Sequence, residues 1–188
     1  MKKVFKSLQL LFASAILFAG STFAQNKTVM VGGAAMYPTK NIVENAVNSA
    51  DHTTLVAAVK AADLVSTLQS AGPFTVFAPT NAAFALLPAG TVDGLLKPEA
   101  KSALTTVLTY HVVAGNYSAK DIAKMIKKNN GTATFKTVAG GNLYAMMDGK
   151  RGIVLKDESG GISYVIISDV NQSNGVIHVV DHVLLPKM

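Results

Sequence analysis

The stretch that most restricts what this chain can become is Ala71 to Phe84, AGPFTVFAPTNAAF. Gly72-Pro73 breaks whatever precedes it and launches a short apolar run, Phe74 to Ala78. Pro79 ends that run: it has no N–H to give a ladder and it holds Ala78 extended, so neither a helix nor a central strand continues past it. A side-chain oxygen of Thr80 or Asn81 then stands ready to accept an orphan N–H of a first helical turn. A strand therefore feeds a helix through a tight corner. Phe74, Phe77 and Phe84 put three of the chain's eight phenylalanines into this segment, which marks a pivot of the core and not a catalytic loop.

Residues 1–24 begin with Lys2, Lys3 and Lys6, continue through the apolar run Leu8 to Ala19, and end in small residues up to Ala24. That is the pattern of a secretory signal peptide, cleaved before Gln25. The apolar run is about a dozen residues, short of the ~20 that span a bilayer, so no stable transmembrane segment is expected after cleavage. Without the three lysines the balance is 14 basic residues against 11 acidic. That excess is too small and too dispersed for nucleic acid, whose binders carry a clustered basic face. There is no cysteine, which excludes disulfides, thiolate nucleophiles and thiolate metal sites. Stability has to come from packing. The mature chain is expected outside the cytoplasm: secreted, at the cell surface or in the periplasm.

Residues 25–40 read as an N-terminal arm and 41–188 as one domain. Asn41 to Ala50 and His52 to Leu68 carry apolar residues at helical spacing, with Asp51 as a cap for the second and Asp63 as a bend between two shorter helices within it. After the pivot come a short helix, Asn81 to Leu87, a longer one, Pro98 to Tyr110, and a third opened by Ser118 and Asp121. The last third turns to short runs rich in Val, Ile, Tyr, Phe and Thr, punctuated by Gly140-Gly141, Asp148-Gly149 and the loop from Asp157 to Gly161. Helices first and strands last argue for α+β.

Catalytic and metal chemistry find little support, and no cofactor is expected. His178 and His182 stand four apart in a segment that reads as strand, about 13 Å between them, too far for one ion. His111 falls on the apolar stripe of its helix, where a satisfied core histidine is the commoner outcome. The run from Asp169 to Gly175 has oxygen ligands at alternate positions, but its twelfth position is Val180 where a calcium loop needs a bidentate Glu, so it reads as a turn. No serine sits in a nucleophile elbow.

Three segments carry a resemblance to the fasciclin-like (FAS1) domains: the pivot; Thr109-Tyr110-His111-Val112-Val113; and Asn174 through Pro186, which includes Gly175 and His178. The fold-signature positions are Phe74, Phe77, Pro79, Thr80, Asn81, Phe84, Gly175, His178 and Pro186. The resemblance implies a β-wedge of about seven strands flanked by helices, without shared enzymatic activity. It also implies adhesion through the Tyr-His element, here Tyr110 and His111, and through an Asp-Ile pair, here Asp169 and Val170. The Val in place of Ile is a departure from the pattern. The expected function is a monomeric, non-catalytic module for cell adhesion or extracellular matrix contact, with a protein or glycan partner. The alternative is a module that binds an apolar small molecule or lipid between the helices and the β-wedge.

Overall fold

The computed structural model describes residues 27–187; the expected signal peptide lies outside the described residues. The described residues open with a hairpin of β1 (Val29–Val31) and β2 (Ala34–Met36). Val31 and Met36 are buried in the core beneath the helices, so this part of the expected arm packs as part of the domain. Next comes α1 (Ile42–Ala46), closed by a capping box: the Glu44 N–H donates to Asn41 Oδ1 at 2.9 Å while the Asn41 N–H donates to Glu44 Oε2 at 2.8 Å.

The second helical stretch divides at Asp63 as expected, into α2 (Thr53–Ala61) and α3 (Val65–Gln69), with Asp63 at φ 56° between them. Asp51 does not cap α2 but sits in the 3-10 turn ahead of it. The cap comes from across the fold: Asn81 Oδ1 accepts the Thr54 N–H at 2.9 Å, and Asn81 Nδ2 donates to Ala50 O at 2.8 Å. A residue 27 positions away cannot be paired with its helix by local pattern alone.

The pivot forms as expected, β3 (Phe74–Pro79) running into α4 (Asn81–Ala85), with Thr80 Oγ1 accepting the Ala83 N–H at 3.2 Å. The short α5 (Thr91–Leu95) was not expected; it is preceded by Gly90 in the left-handed region and is too brief to show a period. Then follow α6 (Lys101–Tyr110), β4 (Val112–Ala114) and α7 (Ala119–Lys128), the last with Ser118 at its cap. The remaining strands are β5 (Thr132–Lys136), β6 (Asn142–Asp148), β7 (Gly152–Lys156), β8 (Ile162–Gln172) and β9 (Gly175–Val180).

These make a seven-stranded sheet ordered β4-β3-β9-β8-β7-β6-β5, parallel at β3–β9 and antiparallel elsewhere. The architecture is the expected α+β. Two details differ from expectation. The polar run from Asp169 is not all turn: β8 continues through it to Gln172 with two register shifts, and Asp169 takes φ 58° inside the irregularity. A bulge uses the same polar residues as a turn, so composition does not separate the two. In addition, β9 ends at Val180, so His182 lies beyond the strand and shares no strand face with His178.

A parallel pair covered on both sides needs apolar residues on both faces. In β3 and β9, Val76, Ala78, Ile177 and Val179 face a core built with β1–β2, α1, α2, α3 and α6. Phe77 and Val180 face a second core shared with Tyr110, α7 and strands β5–β7. Gly175 is required where β9 passes β3, because a Cβ there would meet the Phe74 carbonyl oxygen.

Candidate functional site

Tyr110 and His111 stand at the exit of α6. Tyr110 is fully buried; its hydroxyl donates to Asn142 O at 2.6 Å and accepts the Glu158 N–H at 3.1 Å. Burial pushes the phenol up to about 12, so it remains protonated and able to donate. His111 is buried too. Its Nδ1–H donates to Val107 O at 2.8 Å, and its Nε2 accepts the Leu184 N–H at 3.0 Å. Burial lowers its pKa to about 4, which leaves a neutral ring with both nitrogens used. Beside it, buried Asp157 accepts the Leu185 N–H at 2.8 Å and the Gly161 N–H at 2.6 Å. The Tyr-His element thus clamps α6, the start of β6, the β7–β8 turn and the C-terminal segment together. The same segment is tied at Pro186, whose carbonyl accepts from Ser159 Oγ at 3.2 Å.

The Asp-Val pair is used similarly. Asp169 Oδ1 accepts the Ala119 N–H at 2.7 Å, at the first residue of α7, where a carboxylate is favourable. The Asp169 N–H donates to His178 Nδ1 at 3.3 Å, and His178 Nε2 donates to Tyr117 O at 2.8 Å. His178 also stacks on Phe77 with ring centroids 5.7 Å apart. Val170 is 1% exposed. Of the four residues expected to serve adhesion, Tyr110, His111 and Val170 are therefore inside the protein, and Asp169 is tied to a helix start. They shape the surface, and only the half-buried Asp169 reaches it.

His111 and Val170 also border a cavity of about 100 Å³ between the helices and the sheet. Its walls are almost wholly apolar, including Ile42, Val43, Val56, Val59, Leu68 and Ile177. One polar side chain in its lining has an unused atom. His52 is 2% exposed; Ser49 Oγ lies 2.9 Å from its Nδ1, while its Nε2 has no hydrogen-bond partner. Burial lowers its pKa, opposed by the Ala78 carbonyl, which stands near the ring but outside hydrogen-bond geometry, and by the charge of Asp51, so the ring is neutral. Nothing in the sequence analysis set His52 apart from the helical stretch it begins. The signal lay in its spacing, since 52, 55, 56 and 59 fall on one helical stripe. Among the described residues there is no group of three or more His, Asp or Glu placed to hold a metal ion.

The fasciclin domain family model matches residues 50–186, from the 3-10 turn that carries His52 to the end of the C-terminal segment. The chain belongs to the fasciclin domain family. A protein of Synechocystis sp. is 47% identical over 163 residues, covering 86% of this chain and 82% of that protein. The cell surface glycolipoprotein MPB83 of Mycobacterium bovis is 38% identical over 124 residues, covering 66% of this chain and 48% of its own length. This fasciclin domain also superposes on a FAS1 domain pair from the insect cell adhesion molecule fasciclin I with a TM-score of 0.68. That match has 19% identity and covers 78% of this chain and 51% of the insect chain. At such identity the likeness is one of fold.

Proposed function

We propose that this fasciclin-domain protein is an exported, monomeric, non-catalytic interaction module that meets a protein or glycan partner at a cell surface or in the surrounding matrix. The observation that carries the reading is the inward use of the Tyr110-His111 and Asp169-Val170 elements, which hold an outer surface in shape and offer no free reactive group. A mycobacterial relative named as a cell surface glycolipoprotein supports the location.

On the outer face of β8, Ile162 (39% exposed), Tyr164 and Ile166 (53% exposed) follow the two-residue period of a strand. The Arg151 guanidinium lies 4.7 Å from the Tyr164 ring centroid. An exposed stripe of aliphatic groups with an aromatic ring and a cation is suited to a partner's surface.

The test is binding of the purified chain to envelope preparations and to contacting cells. Ile162→Glu with Ile166→Glu should reduce binding at least tenfold at an unchanged melting temperature. His111→Ala should lower melting temperature and binding together; loss of binding at an unchanged melting temperature would mean that the imidazole meets the partner directly. Export is checked by mass spectrometry of the mature N-terminus, expected at Gln25; a secreted chain that still begins at Met1 would sink it.

A further inference from the structure

The cavity beneath α1–α3 has an unusual form for its size. A void of about 100 Å³ is comparable with one aliphatic side chain, and a buried side chain touches roughly 6–12 residues. This one reaches from Val31 in β1, past α1, α2 and α3, along β3 and β9, to Val112 and the exposed Val138. Its lining runs as a seam along the helix–sheet boundary, through more residues than one rounded void of that volume would touch. Lys60 and Thr67, both exposed, stand at its rim on the helical side, so it has a way out between α2 and α3.

An empty apolar seam would be a packing defect. The polar atom is what such a defect does not account for, because a buried nitrogen with no partner is destabilising and buried polar groups are nearly always paired. His52 Nε2 is such an atom, His52 is part of the seam's lining, and its other ring nitrogen is held by Ser49. The arrangement is that of a ligand site in miniature, an apolar slot with one placed polar group.

We propose that the seam binds a slender aliphatic molecule, or the end of a longer chain, whose terminal hydroxyl pairs with His52 Nε2. A hydroxyl suits the site in either tautomer. If Ser49 Oγ donates to Nδ1, Nε2 carries the proton and the ligand oxygen accepts; if Nδ1 donates to Ser49 Oγ, the ligand O–H donates to Nε2. A charged head is disfavoured, since no ionised partner lines the inner wall and an unpaired charge there would be costly. A cavity near 150 Å³ takes benzene, so this seam holds on the order of five carbons before the chain emerges between α2 and α3. The site is separate from the outer face of β8, and nothing in the proposed surface interaction requires it.

The experiment is an NMR titration of the ¹⁵N-labelled chain, imidazole nitrogens included, with 1-hexanol and with n-hexane. The expected result is saturable one-to-one binding of 1-hexanol, with shifts at His52 Nε2 and at the amides of Val59, Leu68 and Ile177. Affinity for n-hexane should be roughly tenfold weaker, the worth of one hydrogen bond. His52→Leu should bring 1-hexanol down to the level of n-hexane. Filling the seam by Ala46→Leu, or independently by Val56→Phe, should abolish both in whichever variant keeps the parent melting temperature. Non-saturable shifts in the parent chain, equal affinity for the two probes, or binding that survives a folded seam-filling variant would overturn the proposal. An unchanged response in β8 variants is expected, and loss of 1-hexanol binding in Ile166→Glu would also count against it.

Discussion

On one face of the β3–β9 pair, Phe77, His178 and Val180 pack against Tyr110, Ile122 and Leu143, and the buried polar atoms beside them are paired. On the other face, Val76 and Ile177 look toward α1, α2 and α3 across a seam that contains empty space and an unpaired imidazole nitrogen. The two strands are shared, so strand quality does not explain the contrast. What differs is the covering layer. The Phe77 core is closed largely by neighbouring strands and the ten-residue α7, whose register is fixed by Ser118 and Asp169. The Val76 core is backed by α6 and roofed by α1, α2 and α3, helices of five to nine residues held at their ends by distant side chains such as Asn81 and Asn174. Short helices tethered at their ends can part; a laced sheet cannot.

The contrast breaks most visibly with a large truncation. Phe77→Ala should cost about 3–5 kcal/mol, because the hole it leaves lies in a wall that cannot close. Val76→Ala, one residue away but facing the helices, should cost roughly 1–2 kcal/mol as the helical roof settles. Urea denaturation of the pair measures the difference; equal costs would remove the distinction between the faces.

Acid should act through the satisfied histidine that touches both regions. His111 has a pKa of about 4 in the fold and near 6.5 when exposed, so between those values the unfolded chain binds the additional proton. Stability is therefore complete above about pH 7 and falls as pH drops toward 4, by about 3 kcal/mol for this residue. His52 and His178, both lowered by burial, add to the loss in the same direction. Melting temperature followed from pH 7 to pH 4 should fall steadily, and His111→Gln should flatten the slope.

The smallest effect is the sharpest test of the seam. Ala145→Val inserts bulk into the filled core and should cost about 1–3 kcal/mol. Ala46→Val adds similar bulk beside the seam and should be neutral or stabilising by up to about 1 kcal/mol. A cost at Ala46 as large as at Ala145 would show that no usable space is present.

The strand-to-helix corner, the Thr80 and Ser118 caps, the break at Asp63 and the strand-rich C-terminal third were legible because each is written in neighbouring residues. The inward stripe at His111 was legible as well. The Asn81 cap, the continuation of β8 through Asp169 and the role of Asp169 at α7 were not, since each depends on a partner that sequence distance conceals. The resemblance drew attention to Tyr110, His111, Asp169 and Val170, and local pattern could not say which way all of them point.

By itself the sequence determined most of the segments, the α+β order and the family, because dihedral limits at Pro79, apolar periods and caps act over a few residues. Only the tertiary structure decided what the expected site residues do. Whether Tyr110 meets a partner or Asn142, and whether His52 meets a neighbour or an empty seam, depends on surfaces assembled from segments far apart in the chain. Burial is a property of that assembly.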